Sequence, residues 1–262
     1  MITITSAQLD AWLAAFMFPM ARILGLMATA PVFNNAALPM RIRLAVGLAV
    51  TLALVPALPP MPAVPAGSWV GLSVLVQQSL IGMLLGFTLR LAFIAVDVAG
   101  ELIGLQMGLS FAVFYDPQST GQTPVVTEFL GLLATLLFLA MNGHLMTLSA
   151  LAESFALLPV ATKPFAAKSL SVVMAWAGTL FATGVLISLP LIATLLIANI
   201  AMGVLARVAP QMNLFAVGFP VTITAGFAVL MLTMPYFGAA LERLFDQSFI
   251  ALRRVIQAAS GG

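Results

Sequence analysis

Between Leu170 and Ala206 the chain carries no charged side chain. A helix needs about 20 apolar residues to cross a hydrocarbon core of about 30 Å, and this run is longer than one crossing requires. Other runs of the same kind extend over Leu9–Ala30, Trp69–Leu89 and Leu214–Met234. Inside hydrocarbon the backbone has no water to bond, so only helices and closed barrels can span. Barrel strands alternate apolar and polar residues in segments of about ten. The runs here are continuous and much longer, so the fold class is an all-α integral membrane protein. Composition agrees: the chain is 62% hydrophobic and 7% charged, with a mean hydropathy of +1.15. A soluble domain is about a quarter charged.

Several function classes fall away on the same grounds. The pI near 9.5 rests on ten basic against eight acidic groups. They are scattered between the apolar runs, with no basic stripe interleaved with aromatics, so no nucleic-acid partner is expected. The absence of cysteine removes disulfides, thiolate nucleophiles and Cys-based metal sites. His144 is the single histidine, and neither His-Glu-x-x-His nor Gly-x-Ser-x-Gly occurs. Catalytic residues, metal and cofactors are therefore expected to be none, and the chain is read as a non-enzyme. Ala28-Thr-Ala30 looks like a signal-peptidase site, but Asp10 stands where basic residues belong, Arg22 interrupts the apolar core and Pro31 follows. The first helix is expected to stay.

Taken in order, the first span holds Pro19 and Arg22, both tolerated only if neighbouring protein satisfies the freed backbone and the charge. A connector follows with Asn34, Asn35, Arg41 and Arg43. Leu44–Val55 is short and runs into the proline-rich stretch from Pro56 to Pro62, which reads as half of a hairpin. Trp69–Leu89 carries Gly82 and Gly86, a small-xxx-small pair that lets a second helix come close. Pro190 is expected to bend or split the long run, within which Asn199 and Gly203 lie four apart. Arg207 and the residues to Asn213 make a compact polar break, in which Pro210 stops a helix and Gln211 and Asn213 can cap the ends. Leu214–Met234 reads as the last span. The tail, 239–258, is amphipathic: Leu241, Leu244, Phe245, Ser248, Leu252 and Val255 share one side, away from Glu242, Arg243, Asp246, Gln247, Arg254 and Gln257. It is suited to a membrane surface or, with both charge signs on its polar side, to a partner protein.

The most informative window is Arg90 to His144. On a helix from Arg90 to about Ser110, Arg90, Asp97, Glu101 and Gly108 fall within about 20° of one direction, with Gly104 about 40° away. Gly100, Gly104 and Gly108 form a ladder along it. A charge at the bilayer centre costs about 2.5–3.5 kcal/mol on insertion scales, so the stripe must face protein or water. It serves either to dock a neighbouring helix or to line a passage. The helix breaks at Phe111 and a run rich in Gln, Ser, Thr and Gly leads to Pro124, after which Phe129–Met141 is short for a span. A surface loop and a buried, re-entrant gate both fit that pattern. Basic connectors do not alternate as the positive-inside rule asks, so some runs are hairpins or the chain is held by partner subunits. With no internal repeat visible, a repeat-built secondary transporter is disfavoured. A translocation subunit, a transporter and a membrane scaffold all stay open, the first two favoured by the internal charges and broken helices.

Specific residues go further. Gly100-Glu-Leu-Ile-Gly-Leu-Gln-Met-Gly-Leu-Ser-Phe111, Asp116-Pro117, Phe138-Leu-Ala-Met-Asn-Gly-His144, Ser154-Phe155 with Pro159, Arg207 with Pro210-Gln-Met-Asn213, and Pro39-Met-Arg41 together resemble the FliR family. That family is the membrane export-gate component of bacterial flagellar type III secretion. The matches run in order from the first span to the last.

The resemblance implies a single membrane domain over 1–262, of about six apolar helical runs. It also implies bent hairpins like a fused FliP-like plus FliQ-like unit, and FliP, FliQ and FlhB as partners in the bacterial inner membrane at the flagellar basal body. Unfolded flagellar subunits would pass through the closed assembly, energised from elsewhere. The family's plug-like constriction falls on Gly108 to about Pro124, the gate loop being 111–124, with Phe111, Phe114, Tyr115, Asp116 and Pro117 in it. A dewetted apolar closure resists ions. On this reading the stripe of Arg90, Asp97, Glu101, Gly100 and Gly104 weighs as a docking face. The alternatives are the virulence-injectisome homologue and a proton-coupled small-molecule transporter.

Overall fold

The structure is a computed structural model that describes residues 5–35, 37–62, 64–109, 124–162, 166, 168–209, 211 and 214–260. Its elements are α1 (Ser6–Thr29), α2 (Met40–Leu54, followed by a single 3₁₀ turn Val55–Ala57), α3 (Trp69–Gln106), α4 (Val125–Ala140), α5 (Gly143–Leu157), α6 (Lys168–Val208) and α7 (Leu214–Ala259). The all-α membrane class is thus the observed one. Among the described residues five helices are long and apolar enough to cross a membrane, or six when the bent pair α4–α5 is taken as one.

Local chemistry sets the helix ends. Thr5 caps α1: its hydroxyl accepts from the Gln8 N–H at 3.3 Å, while the Gln8 side chain accepts from the Thr5 N–H at 3.1 Å. α1 stops at Ala30, extended at ψ 139° before Pro31. α2 begins at Met40, ahead of the apolar run, because exposed Arg41 and half-buried Arg43 are no obstacle to a helix. Proline then ends it as expected.

Sequence reading divides the chain at Arg90, but α3 is one helix of 38 residues. Nothing between Trp69 and Gln106 is a breaker, and Arg90 keeps its charge exposed. α3 closes on a Schellman motif. The Leu109 N–H donates to the Gly104 carbonyl and the Gly108 N–H to Leu105, both at 3.0 Å, with Gly108 at φ 81°. That left-handed turn is why a glycine stands there.

Pro190 neither ends nor divides α6, and the last span and the tail are one helix of 46 residues that runs through Pro220 and Pro235. Prolines are tolerated in apolar helices where neighbouring groups re-satisfy the backbone. α4 and α5, by contrast, meet at 64°. The break is at Asn142, φ 58°, whose carbonyl accepts from the Leu145 and Met146 N–H groups at 2.9 and 3.0 Å. Asparagine is one of the few non-glycine residues that adopt this conformation readily.

The chain forms two compact units. The first comprises Met1–Leu91, Asn142–Ala177 and Asp246–Gly262. In it α1 and α3 pack backbone to backbone: a Cβ on Gly82 would run into the Arg22 carbonyl, one on Gly86 into that of Leu26, and one on Gly25 into that of Ser79. The Gly82/Gly86 pair is therefore a genuine close-approach surface. The Thr29 hydroxyl adds a bond to the Met83 carbonyl at 3.0 Å.

The second unit comprises Ala92–Met141 and Gly178–Phe245. At its centre the rings of Phe93, Phe138 and Phe245 lie 5.2–5.5 Å apart, mostly edge to face, an arrangement that contributes beyond area burial.

The amphipathic side of the tail is buried on this chain itself. Leu241, Leu244, Phe245, Ser248, Leu252 and Val255 are all buried, while Glu242, Arg243, Asp246, Gln247, Arg254 and Gln257 are exposed. This corrects the expectation of a membrane surface or a partner protein. Intramolecular packing satisfies the apolar stripe before any second molecule is needed.

Candidate functional site

Two places gather polar groups among the apolar helices. The first is the buried guanidinium of Arg22, at 0% exposure. Its Nε donates to Gln78 Oε1 at 2.7 Å, Nη1 to the Ser154 carbonyl at 2.9 Å and hydroxyl at 3.2 Å, and Nη2 to the Leu158 carbonyl at 2.9 Å. The Phe155 ring stacks on it, 4.2 Å from the guanidinium carbon to the centroid. Ser154 and Leu158 carry carbonyls at the C-terminal end of α5, where the helix dipole is negative. Arg22 therefore caps α5 from α1, with α3 supplying the third side through Gln78. These four acceptors are all neutral, so among the described residues its charge is solvated by dipoles and a ring. Sequence reading noted that Arg22 needs help but did not place it in a site. The signal was a cation inside an apolar run, and the partners lay too far along the chain to name.

The second place is the end of α3 and the start of α4, in the second unit. Gly100 is buried against α4, and a Cβ there would meet the Thr127 Cα at 2.5 Å. Gly104 is also buried, but a Cβ on it would reach no closer than 3.7 Å to the Pro124 Cβ, an ordinary contact. The tight approach within the chain is thus at Gly100. Asp97 is half-buried and faces α4, its Oδ1 3.8 Å from where a Cβ on Gly131 would stand, while Arg90 and Glu101 are exposed. The helical stripe is divided: its middle is packed and its charged ends are open.

Gly108 ends α3, and the Met107 just before it packs on α7. The Thr222 hydroxyl donates to the Met107 carbonyl at 3.4 Å, and a Cβ on Gly226 would collide with the Met107 side chain. On the far side of the loop, Val125, Val126 and Phe129 join Phe227, Leu230 and Met231 of α7 around a cavity of about 390 Å³. The residue before the loop thus packs on α7, those after it share a cavity with α7, and Pro124 lies beside Gly104. Phe111, Phe114, Tyr115, Asp116 and Pro117 lie outside the described residues, as do Pro210 and Asn213. Of the polar break, Arg207 sits exposed in the last turn of α6, where a cation suits the dipole, and Gln211 is exposed beyond it.

Elsewhere, Glu153 of α5 meets Arg253 of α7 at 3.8 Å, with both side chains largely in the open. Such a pair contributes little. Among the described residues no three His, Cys, Asp or Glu side chains come together as a metal site would require.

Among the described residues, long apolar helices, a charge buried among neutral acceptors and a span broken at Asn142 define the class: an all-α membrane protein. Comparison with known sequences narrows it. The profile of the family described as "Bacterial export proteins, family 1" matches residues 13–248, and the chain belongs to that family. It is 43% identical over 256 residues to the flagellar biosynthetic protein FliR of Pectobacterium carotovorum subsp. carotovorum, covering 98% of both chains. It is 41% identical over 256 residues to the protein of that name from Escherichia coli (strain K12), again covering 98% of both. To the one from Aquifex aeolicus (strain VF5) it is 33% identical, covering 90% of this chain and 91% of the relative.

Proposed function

We propose that this protein is a non-enzymatic subunit of the flagellar type III protein export gate in the bacterial inner membrane. It acts there as a single membrane domain at the flagellar basal body, built like a fused FliP-like plus FliQ-like unit. With FliP, FliQ and FlhB it forms a closed passage through which unfolded flagellar subunits leave the cell. The observation that carries this reading is the end-to-end likeness to proteins named for flagellar biosynthesis, at 41% and 43% identity over 98% of the chain. The loop anchorage supports it. The described residues on either side of the loop, Met107 before it and Val125, Val126 and Phe129 after it, lie against α7 or share an apolar cavity with it, as a closure with apolar surroundings would require.

In this reading Gly108, Phe111, Phe114, Tyr115, Asp116 and Pro117 form the seal. Gly100 and its neighbours on α3 brace the seal, and Arg207, Pro210, Gln211 and Asn213 make the second break. The test removes residues 115–121 in flagellated cells. The expected outcome is a membrane that leaks small ions, read as loss of membrane potential with a potential-sensitive dye, and that still supports export. Tight membranes with normal export would overturn the seal assignment.

A further inference from the structure

Beside the Arg22 node, on the opposite side of α1, the structure holds a groove that the export reading does not use. It encloses about 640 Å³ between α1, α2 and α3, and Met17, Met20, Met27, Met40 and Met83 line it. That volume is in the range of a ligand site, and methionines make a wall that adapts to a flexible guest. One end is polar. Arg43 reaches it from α2, and Asn34 from the connector. Two of the Arg43 nitrogens are held in place, Nη1 by Asn34 Oδ1 and Nη2 by the Asn35 carbonyl, each at 2.6 Å. Its Nε is buried with no partner among the described residues. A guanidinium fixed in this way by two bonds at the mouth of an apolar slot carries a positive charge suited to an anion attached to something greasy.

The dimensions agree. From Ala28 at the polar end to Met17 at the far end is about 16 Å of helix at 1.5 Å per residue, which is half of a hydrocarbon core of about 30 Å. The membrane boundaries fall in matching places. Trp12 and Trp69 are both exposed, near the N-terminal ends of α1 and α3, as interfacial tryptophans are. Arg90, exposed on α3, is about 32 Å further along than Trp69 and marks the opposite boundary. Arg43 belongs to that second boundary, because α1 runs alongside α3 with Leu26 level with Gly86, and α2 begins just past the end of α1. The groove thus spans one leaflet, with its cation at headgroup level.

We infer that this groove binds an anionic phospholipid, its acyl chain lying among the methionines and its phosphate on Arg43. The occupancy is independent of the export reading, since it depends on the first unit of the chain alone.

The test reconstitutes the full chain into phosphatidylcholine bilayers carrying trace spin-labelled phosphatidylglycerol or spin-labelled phosphatidylcholine. The immobilised fraction is read by electron paramagnetic resonance. The wild-type chain should prefer phosphatidylglycerol about fivefold, the ratio given by ~1 kcal/mol per basic residue near the surface. Arg43→Gln should bring that ratio to about one, Arg43→Lys should keep most of it, and Ala28→Phe, which plugs the polar end, should reduce the immobilised fraction of both lipids. Equal retention of the two lipids by the wild-type chain, or a preference that survives Arg43→Gln, overturns the proposal. No retained lipid together with a concentration-dependent dimer in sedimentation would assign the groove to a second copy instead.

Discussion

A single side chain, Arg22, shows how this protein accommodates a charge where water is absent. Hydrogen bonds from a charged donor contribute about 1.5–3 kcal/mol each, and a buried carbonyl left without a donor costs about 1–3 kcal/mol. The stacked Phe155 adds up to about 2 kcal/mol when desolvated. Arg22→Met should therefore destabilise the chain by roughly 3 kcal/mol or more. Most of that comes from the lost charge-assisted bonds and from the Leu158 carbonyl and Gln78 oxygen left without this donor, since the Ser154 carbonyl keeps the Leu158 N–H. Arg22→Lys should cost less, because it keeps the charge but cannot make the forked contact with both carbonyls. Thermal unfolding of the detergent-solubilised chain measures both. An unchanged midpoint in Arg22→Met would mean that the node is dispensable. None of these partners could be read from the sequence, because they lie 56, 132 and 136 residues away. The lone cation in the apolar run was legible, and what solvates it was not.

At the scale of elements, the pattern that was local was also legible. The tail's buried face is the one its 3.6-residue period marks out, residue for residue, because periodicity depends on nothing beyond the helix itself. What covers the face was misjudged, since the covering residues come from elsewhere in the chain. The division at Arg90 failed for a different reason. A charge suggests a boundary in a hydropathy profile, yet an exposed arginine leaves the backbone bonds of α3 intact. The real boundaries are backbone events, at Gly108 and at Asn142, both in the left-handed region. Asn142 makes this testable. Asn142→Gly should be nearly neutral, while Asn142→Val should cost about 1–2 kcal/mol, the penalty of a β-carbon in that conformation. Unfolding midpoints of the two variants check it, and equal values would show that the bend between α4 and α5 is imposed by packing rather than by its hinge residue.

Across the whole molecule, the long helices differ in how much of their apolar surface the chain itself covers. The most apolar window of α7 is only 17% buried and that of α6 28%, against 56% for α3. Large apolar side chains such as Ile197, Met231 and Leu232 stand in the open. Such surfaces are covered in a cell by lipid or by other subunits, which composition already implied. The family resemblance was legible because it is carried by short ordered strings such as Phe138 to His144. The node at Arg22 and the groove on its other side were not, because both are made by three elements meeting.

The cap on α5 also fixes an order of events during synthesis. Arg22 enters the membrane with the first helix, yet its last acceptor, Leu158, is made 136 residues later. At about 5–20 residues per second that is on the order of 7–27 s. Throughout that interval the first span holds a cation whose acceptors on α5 do not yet exist, with Gln78 alone of its side-chain and carbonyl partners made before them. Chains truncated before Ser154 should accordingly be short-lived in the membrane, and Arg22→Leu should prolong their lifetime in a pulse-chase measurement even as it weakens the finished protein. The same residue is a burden to the nascent chain and a clamp in the mature one.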